Sequence, residues 1–317
     1  MGLDKLTERQ IIGHFYKTLE QDIGASWVGL ISNYFTSDQA SEEYAWLGMS
    51  PTLREWIGGR DAKGFRENSL TIINKHYEAT LEILVRDLRR DKSGQALVRI
   101  SEMARRANAH WASLLSTLIV NGEDTVCYDG DYFFDTDHEE GDSGEQSNDI
   151  TVDISELPIT ESGSTTLPSV ADMQFAIMKG IEAIVKIVDD QAEPMNENAT
   201  AFLAMVPPTF MHAALQAVAT PYQVGSDQSA LSEMKKEFTI KVVPNVRLSS
   251  WTTKFAMFRT DSQVKALVRQ EETGVNLKVK GYGSEYEFDN DAHQYGIDTW
   301  RNVGYGYWQN ACLVTLG

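Results

Sequence analysis

Four aspartates and one histidine crowd into ten residues near the middle of the chain: Asp129, Asp131, Asp135, Asp137 and His138. Closely spaced carboxylate oxygens are the ligands that Ca²⁺ and Mg²⁺ prefer. The order does not match an EF-hand loop, because the required glycine and the final glutamate are misplaced. A solvated acidic loop accounts for the same residues. We favour the loop and expect no bound metal, with the four aspartates kept as weak candidate ligands.

Sequence motifs of other chemistries are absent. Neither a GxGxxG nor a Walker A pattern occurs, so no phosphate-binding loop is predicted. The GxSxG elbow and the HExxH helix are also missing. The two cysteines, Cys127 and Cys312, lie far apart and are interpreted as free thiols. We therefore expect no enzymatic activity and no cofactor; a metal-dependent hydrolase built on the four aspartates is the alternative.

The acidity of the chain is concentrated in one segment. The formal net charge is −18, yet no lysine or arginine occurs between Arg106 and Lys179, where there are fifteen acidic residues. The remainder carries 31 acids against 28 bases. Tight nucleic-acid binding needs clustered Lys and Arg, which this composition does not supply. The apolar runs are too short to span a bilayer, so no membrane partner is expected.

Residues 93–121 predict a long helix around which the other elements are organised. Its apolar residues recur at alternating steps of three and four, which places them on one helical stripe. They are Leu97, Ile100, Ala104, Ala107, Trp111, Leu114 and Leu118. Ser93 is the expected N-cap and Asn121-Gly122 the expected stop. At about 1.5 Å per residue, such a helix is roughly 40 Å long.

Two segments ahead of this helix have apolar groups in need of a partner. Residues 1–24 predict an amphipathic helix, either an arm that packs on another subunit or a first helix in its own core. Residues 44–68 combine glycines with large aromatic side chains, which predicts loops and hairpin turns. Aromatic rings in a protruding loop are most easily buried by a neighbouring molecule.

The segments on either side of the acidic stretch predict a mixed fold. Alternation from Tyr77 to Val85 predicts a strand that leads directly into the long helix. Ser169 is expected to cap a second helix. Ala201–Val206 predicts a short buried strand that runs through Pro207-Pro208 into a helix over Thr209–Val218. The last hundred residues are expected to be mostly β, since Ile240/Val242 and Val246/Leu248 alternate, with gaps rich in glycine and aromatic residues at Gly281–Phe288 and Gly304–Trp308. These features favour a self-assembling structural protein over an enzyme.

One block of residues is similar to a known family. Tyr44–Gly48 and Pro51–Arg60 resemble the Mu-like gpT family, the major head subunits of tailed bacteriophages. Further pieces agree in order along nearly the whole chain: Cys127–Gly130, Phe133–Asp135 with His138, Asp189–Asn198, Pro207-Pro208 and the terminal β segment. The resemblance departs at Glu139–Glu161, which is unusually acidic.

The resemblance implies an α+β fold of the Hong Kong 97 capsid type. It divides the chain into an N-terminal arm (1–43), an extended loop (44–72), a peripheral domain (73–165) with a spine helix (93–121), an axial domain (166–254), return strands of the peripheral domain (255–305) and a C-terminal segment in the axial domain (306–317).

The resemblance also implies assembly instead of catalysis. Copies would form pentamers and hexamers that close into an icosahedral head around double-stranded DNA, which is enclosed without sequence specificity. Scaffolding, portal and decoration proteins are implied partners, and the virion would be assembled in the cytoplasm of a bacterial host. The candidate inter-subunit contacts are the apolar anchors Trp46, Leu47 and Trp56 and the charged Arg54 and Arg60. An encapsulin-like compartment shell of the same fold is a further alternative.

Overall fold

A computed structural model describes most of the chain. The described residues are 8–22, 24–44, 70–91, 94–156, 163–219 and 238–317. Their helices are α1 Glu8–Gln21, α2 Val28–Ile31, α3 Val85–Arg90, α4 Gln95–Val120, α5 Val170–Lys186, α6 Met211–Ala219 and α7 Glu285–Asn290. Short 3₁₀ turns occupy Ile154–Glu156, Pro208–Phe210, Val246–Leu248 and Trp308–Asn310. In these ranges no helix has both the length and the apolar character needed to cross a bilayer.

The strands form two larger sheets and two short ribbons. In chain order they are β1 Ser32–Thr36, β2 Ser41–Tyr44, β3 Leu70–Ile73, β4 Lys75–Leu84, β5 His138–Glu139, β6 Glu145–Gln146, β7 Asp149–Val152, β8 Ala201–Val206, β9 Thr239–Pro244, β10 Lys254–Arg259, β11 Leu267–Lys280, β12 Ala292–Tyr305 and β13 Ala311–Leu316. The four-stranded sheet has the order β1-β11-β12-β4, and the five-stranded sheet has the order β7-β13-β10-β8-β9. Strands β2 and β3 form one ribbon, and β5 and β6 the other.

The long helix predicted from the sequence is α4. Gly94 occupies its N-cap position and has no side chain to offer. The carboxylate of Asp91 accepts hydrogen bonds from the backbone N–H groups of Gln95 (3.1 Å) and Ala96 (2.8 Å) in its place. These bonds satisfy two of the donors that a helix start leaves open. Ser93, the expected cap, lies outside the described residues.

The buried stripe of α4 matches the prediction only in its first half. Ile100, Ala104 and Ala107 are buried as expected. Further along, Leu115 and Ile119 are buried, whereas Leu114 and Leu118 are only partly so. The helix changes its packing partners along its length, from α1 and the four-stranded sheet to a cluster that includes residues of the five-stranded sheet.

The first helix packs within its own chain. Ile11 and Phe15 of α1 are buried against Ile100 and Ala104 of α4 and against Tyr295 of β12. Of the two interpretations left open by the sequence, packing in its own core is the one seen for residues 8–21. The assignment of residues 1–43 as an arm stays a prediction.

The second helix begins as predicted and lies very close to the five-stranded sheet. Ser169 and Asp172 form a reciprocal capping box at the start of α5. A Cβ on Gly180 would lie 2.7 Å from Cγ of Met257 and 3.1 Å from Cγ2 of Val314. Glycine therefore permits the close contact between α5 and strands β10 and β13.

Several local predictions were wrong. Strand β4 does not lead directly into the long helix, because α3 intervenes. Val246–Leu248, which looked like part of an alternating strand, forms a 3₁₀ turn. A glycine- and aromatic-rich gap predicted after residue 280 contains the helix α7.

Strands from three of the predicted domains share one sheet with the axial strands. Except for its first residue, Lys254, strand β10 falls within the predicted return strands (255–305), and β7 falls within the predicted peripheral domain, yet both belong to the five-stranded sheet. Strand β13 of the C-terminal segment lies in the same sheet, between β7 and β10. The domain names and boundaries stay predictions.

Candidate functional site

The acidic turn after α4, residues 122–140, is held against the core by two buried aromatic side chains. Phe133 and Phe134 are fully or almost fully buried, and Phe133 stacks on Tyr305 with 4.5 Å between ring centroids. A Cβ on Gly122 would lie 2.5 Å from the Phe134 ring, so only glycine fits at this point. The aromatic residues anchor the turn to the core while its acidic residues divide into a buried and an exposed set.

Asp129 and His138 form the buried set. Nδ1 of His138 lies 2.8 Å from Oδ2 of Asp129, and the two side chains are 0% and 2% exposed. The His138 ring stacks on Trp308 with a centroid separation of 3.9 Å and an interplanar angle of 4°. Burial opposes ionisation of Asp129, but hydrogen bonds from His138, Cys127 and the Asp131 backbone outweigh it, so the pKa of Asp129 lies below its usual value.

The other aspartates lie nearer to solvent. Asp135 and Asp137 share a hydrogen bond, and this bond together with the negative charge of Asp135 raises the pKa of the exposed Asp137. Partial burial, followed by repulsion from Asp129, raises the pKa of Asp131. The structure therefore places Asp131 beside Asp129, whereas Asp135 and Asp137 form a separate pair.

Glu140 is a further buried acid at this turn that sequence reasoning did not single out. Its Oε1 accepts hydrogen bonds from Nε1 of Trp308 (3.2 Å), from Nε2 of Gln309 (3.1 Å) and from the hydroxyl of Tyr128. Burial is the main reason that its pKa is raised. These bonds connect the acidic turn to the 3₁₀ turn that precedes β13, a contact between segments far apart in the sequence.

The geometry argues against easy binding of a cation at this turn. Ligand atoms of Asp129, Asp131 and His138 lie within 4.8 Å of one another. However, Oδ1 of Asp129 already accepts from Sγ of Cys127 and the N–H of Asp131, both at 3.2 Å, and Oδ2 is occupied by His138. These bonds compete with a cation for Asp129, whereas Nε2 of His138 is buried without a hydrogen-bond partner. Hydrogen bonds and stacked rings stabilise the turn, which therefore has a structural role.

A second polar cluster lies between α4 and the four-stranded sheet. Arg301 is 2% exposed; it donates to the Ala107 carbonyl (2.8 Å) and to Nδ1 of His110 (3.1 Å). Its guanidinium also lies 4.7 Å from the Trp111 ring centroid. Burial, followed by the positive charges of Arg301 and Arg247, lowers the pKa of His110 to about 4. His110 is therefore a neutral acceptor at neutral pH.

The predicted inter-subunit residues cannot be placed. Trp46, Leu47, Arg54, Trp56 and Arg60 all lie outside the described residues.

The most exposed apolar side chains of the described chain are at another location, the turn between β11 and β12. Phe288 is 90% and Tyr282 86% exposed there. Sequence reasoning had noted only the glycine and aromatic content of this turn, because exposure cannot be read from residue types.

Cys127 and Cys312 are both free and buried. The prediction of free thiols is therefore confirmed.

Several solved structures that are similar to this chain are phage capsids. The chain superposes on a subunit in the procapsid of bacteriophage JBD30 with a TM-score of 0.54, at 22% identity over 98% of this chain and 76% of that one. The cyanophage P-SCSP1u capsid gives 0.56 at 12% identity over 91% and 86% of the two chains. The mature capsid of bacteriophage PhiM1 gives 0.53 at 14% identity over 92% and 87%. The class defined by this architecture is the α+β Hong Kong 97-type capsid fold, as the resemblance implied.

The family follows from the sequence comparison. The model of the Mu-like prophage major head subunit gpT matches residues 8–157 and 234–315. The chain belongs to that family, and its recognition from Tyr44–Arg60 and the later motifs is confirmed. Family members and structural neighbours are capsid proteins.

Two relatives share part of the sequence. The Mu-like prophage FluMu major head subunit of Haemophilus influenzae is 37% identical over 122 residues, which are 38% of this chain and 40% of the relative. The major capsid protein of Escherichia phage Mu is 35% identical over 108 residues, which are 34% and 35% of the two chains. Each alignment therefore spans well under half of the relative.

Proposed function

We propose that this chain is the major capsid subunit of a Mu-like bacteriophage head and acts by self-assembly. The observation that carries the proposal is the family match, which extends over both the segment containing α4 and the terminal β segment. A fold shared with assembled phage capsids supports it. Copies form pentamers and hexamers that close into an icosahedral shell, by heterologous contacts in which one surface meets a different surface of the next copy.

The purified protein provides the test of assembly. Analytical ultracentrifugation and negative-stain microscopy are expected to show rings, shells or tubes. A small oligomer that binds one metal ion per subunit and hydrolyses a substrate would instead support the alternative enzyme built on Asp129, Asp131, Asp135 and Asp137. The bonds that already occupy Asp129 disfavour that alternative.

The loop over residues 44–72 is proposed to lie on a neighbouring subunit. Trp46, Leu47 and Trp56 are its apolar anchors, and Arg54 and Arg60 pair with acids of the neighbour. We predict that Trp56→Ala leaves the subunit folded but impairs particle formation, because the anchor contributes only between copies. Thermal unfolding of the subunit and particle yield are the two measurements. Variant particles that form normally and resist heat like wild type would refute this role.

The packaged molecule is proposed to be double-stranded DNA, held without sequence specificity. The acidic segment bears on its orientation, because carboxylates that face DNA repel it unless cations screen them. We propose that the exposed acids of this segment face outward, away from the DNA. In the alternative arrangement they bind divalent cations, which screen their charge. Particle stability with and without a chelator separates the two, since an effect of the chelator indicates bound cations.

The remaining proposals follow from assembly into a virion. Scaffolding, portal and decoration proteins are its partners, no membrane is involved, and assembly takes place in the host cytoplasm. The subunit is no enzyme and needs no cofactor. An encapsulin-like shell of the same fold would contain cargo enzyme instead of DNA. Nucleic acid that is protected from nuclease in purified particles would rule out this alternative.

A further inference from the structure

A cavity of about 200 Å³ lies between α4 and the four-stranded sheet. Met103 and Ala107 of α4, Val275 of β11 and Ile297 of β12 give it mainly apolar walls. Ala79 of β4 also lines the cavity and is exposed, so the cavity opens to solvent at this strand. An apolar cavity of about 150 Å³ can hold a benzene ring. This cavity therefore has room for one ring and a small substituent.

Three polar side chains that contact one another in sequence also line the cavity: Arg301, His110 and Tyr77. Nε of Arg301 donates to Nδ1 of His110 at 3.1 Å, which assigns the proton of the neutral imidazole to Nε2. Within the described chain, neither this Nε2–H nor the Tyr77 hydroxyl has a hydrogen-bond partner. Burial raises the pKa of Tyr77, so its hydroxyl stays protonated. The cavity therefore offers hydrogen-bond donors that the chain itself does not use.

Positive charge is in excess around these donors. Among the described residues, the nearest carboxylate oxygen to the buried Arg301 is Oε1 of Glu271, which lies 4.0 Å from Nη1, beyond hydrogen-bond range. Glu271 also attracts the guanidinium of Arg269. Burial and then the positive charges of Arg301 and Arg247 lower the pKa of His110, as expected for an imidazole in a positive environment. A buried cation without a hydrogen-bonded counterion is costly, and an anion in the cavity would offset that cost.

The two acids of the lining belong to the opposite face of the sheet. Glu78 and Asp298 are paired across β4 and β12 and alternate with residues whose side chains face α4. Asp298 accepts from Nζ of Lys278 at 2.8 Å, and Glu78 is exposed to solvent. The exposed Arg106 of the lining donates to Glu102 at 2.6 Å. These charges are balanced or solvated outside the cavity, so Arg301 is the charge that a ligand would meet.

We propose that this cavity binds a small monocarboxylate with an apolar body of about the size of benzoate. The apolar body lies among Met103, Val275 and Ile297. The carboxylate accepts from the guanidinium of Arg301, with Nε2–H of His110 and the Tyr77 hydroxyl as further donors, and such charge-assisted bonds are the strong ones. The site goes beyond the proposed function, because it lies within one subunit and exists whether or not copies assemble.

Binding of three fluorinated probes to the purified protein, followed by ligand-detected fluorine NMR at neutral pH, tests the site. The probes are 4-fluorobenzoate, the neutral 4-fluorobenzamide and the cationic 4-fluorobenzylamine, which share one ring and differ in the polar group. The cationic probe is included because Oδ1 of Asp298 is buried without a hydrogen bond.

A matched pair of β4 variants locates the bound probe. Ala79→Leu adds a larger side chain from an exposed position that lines the cavity. Thr80→Leu is the control, because Thr80 is the next residue of the same strand, is also exposed, and has its side chain on the other face of the sheet. Thermal unfolding shows whether each variant is folded.

We expect saturable binding of 4-fluorobenzoate with a Kd of roughly 1 mM. The amide and the amine should bind at least about tenfold more weakly, because they lose the bonds from a charged donor. Ala79→Leu should weaken binding of the carboxylate at least about tenfold, and Thr80→Leu should leave it unchanged.

No saturable binding, equal binding of the three probes, or tighter binding of the amine would overturn the proposal. Full binding by folded Ala79→Leu protein would place the probe elsewhere and overturn it as well. The comparison of the three probes uses the wild-type chain, so it decides the matter even if Ala79→Leu fails to fold. Each of these results leaves the proposed capsid function intact, and a failure of assembly leaves the cavity to be tested in the single subunit.

Discussion

Asp129 and Asp137 belong to the same acidic turn but have different physical roles. Asp129 is buried and bonded to His138, whereas Asp137 is exposed. The sequence shows only their proximity along the chain, so it could suggest a cluster but not this division. The stacking of His138 on Trp308 joins residues far apart in the sequence, which no local pattern reveals.

The two aspartates therefore make a matched pair for mutation. We predict that Asp129→Ala lowers the free energy of unfolding by about 2 to 3 kcal/mol, because His138 is left buried without its partner. Asp137→Ala is expected to change it by less than about 0.5 kcal/mol, as is usual for surface positions. Urea unfolding of the unassembled subunit measures both. Equal losses in the two variants would contradict the division into a buried and an exposed aspartate, and a loss on adding a chelator to wild type would instead indicate a bound cation.

His110 gives a pH dependence whose sign can be stated. Its pKa in the folded chain is about 4, below the ordinary value of 6.5, because of burial and the nearby Arg301 and Arg247. The unfolded chain therefore takes up a proton first, and stability falls as pH drops from 6.5 toward 4. Since His110 is only half-buried, we expect a loss of roughly 1 to 2 kcal/mol from this group.

The substitution His110→Gln isolates this contribution. Its amide oxygen can still accept from Arg301 but does not titrate in this range. The variant is expected to lose less stability than wild type over the same pH interval in urea titrations. Parallel curves for the two proteins would show that His110 is not responsible.

At the scale of elements, two helical glycines are expected to respond in opposite directions. In α5 a Cβ on Gly180 would meet Met257 at 2.7 Å, whereas around Gly13 in α1 there is nothing within 4 Å. Alanine gains about 1 kcal/mol of helix propensity over glycine at either position. At Gly180 the overpacking costs about 1 to 3 kcal/mol, so Gly180→Ala should destabilise by roughly 1 to 2 kcal/mol net.

Gly13→Ala is the control and should stabilise the subunit by up to about 1 kcal/mol. Thermal unfolding of both variants is the measurement. If Gly180→Ala also stabilised the subunit, the close contact of α5 with β10 and β13 would be wrong.

Elements with a strong local signal were predictable from the sequence. The Ser169 cap and the strand Ala201–Val206 were placed correctly because a capping box and a short apolar run are local features. Val246–Leu248 was misjudged because two apolar residues with one polar residue between them fit a 3₁₀ turn as well as a strand. The parallel pairing of β1 with β11 and of β7 with β13 joins distant segments and was not predictable.

Assembly of the proposed shell depends on contacts between copies of the subunit. The helix α4 links the four-stranded sheet to the central core, so one rigid element spans both parts of the subunit. The loop with Trp46 and Trp56 is proposed to meet a neighbouring copy. Sequence patterning can indicate surfaces that need burial, but the copy that covers them becomes visible only in the assembly.

Electron cryomicroscopy of the purified protein would show whether copies of the subunit make these contacts. We predict closed shells built from fivefold and sixfold rings of this fold, in which Trp46 and Trp56 of each copy lie against another copy. Small soluble oligomers in which each chain covers its own indoles, with no loop contact between copies, would contradict the proposed assembly.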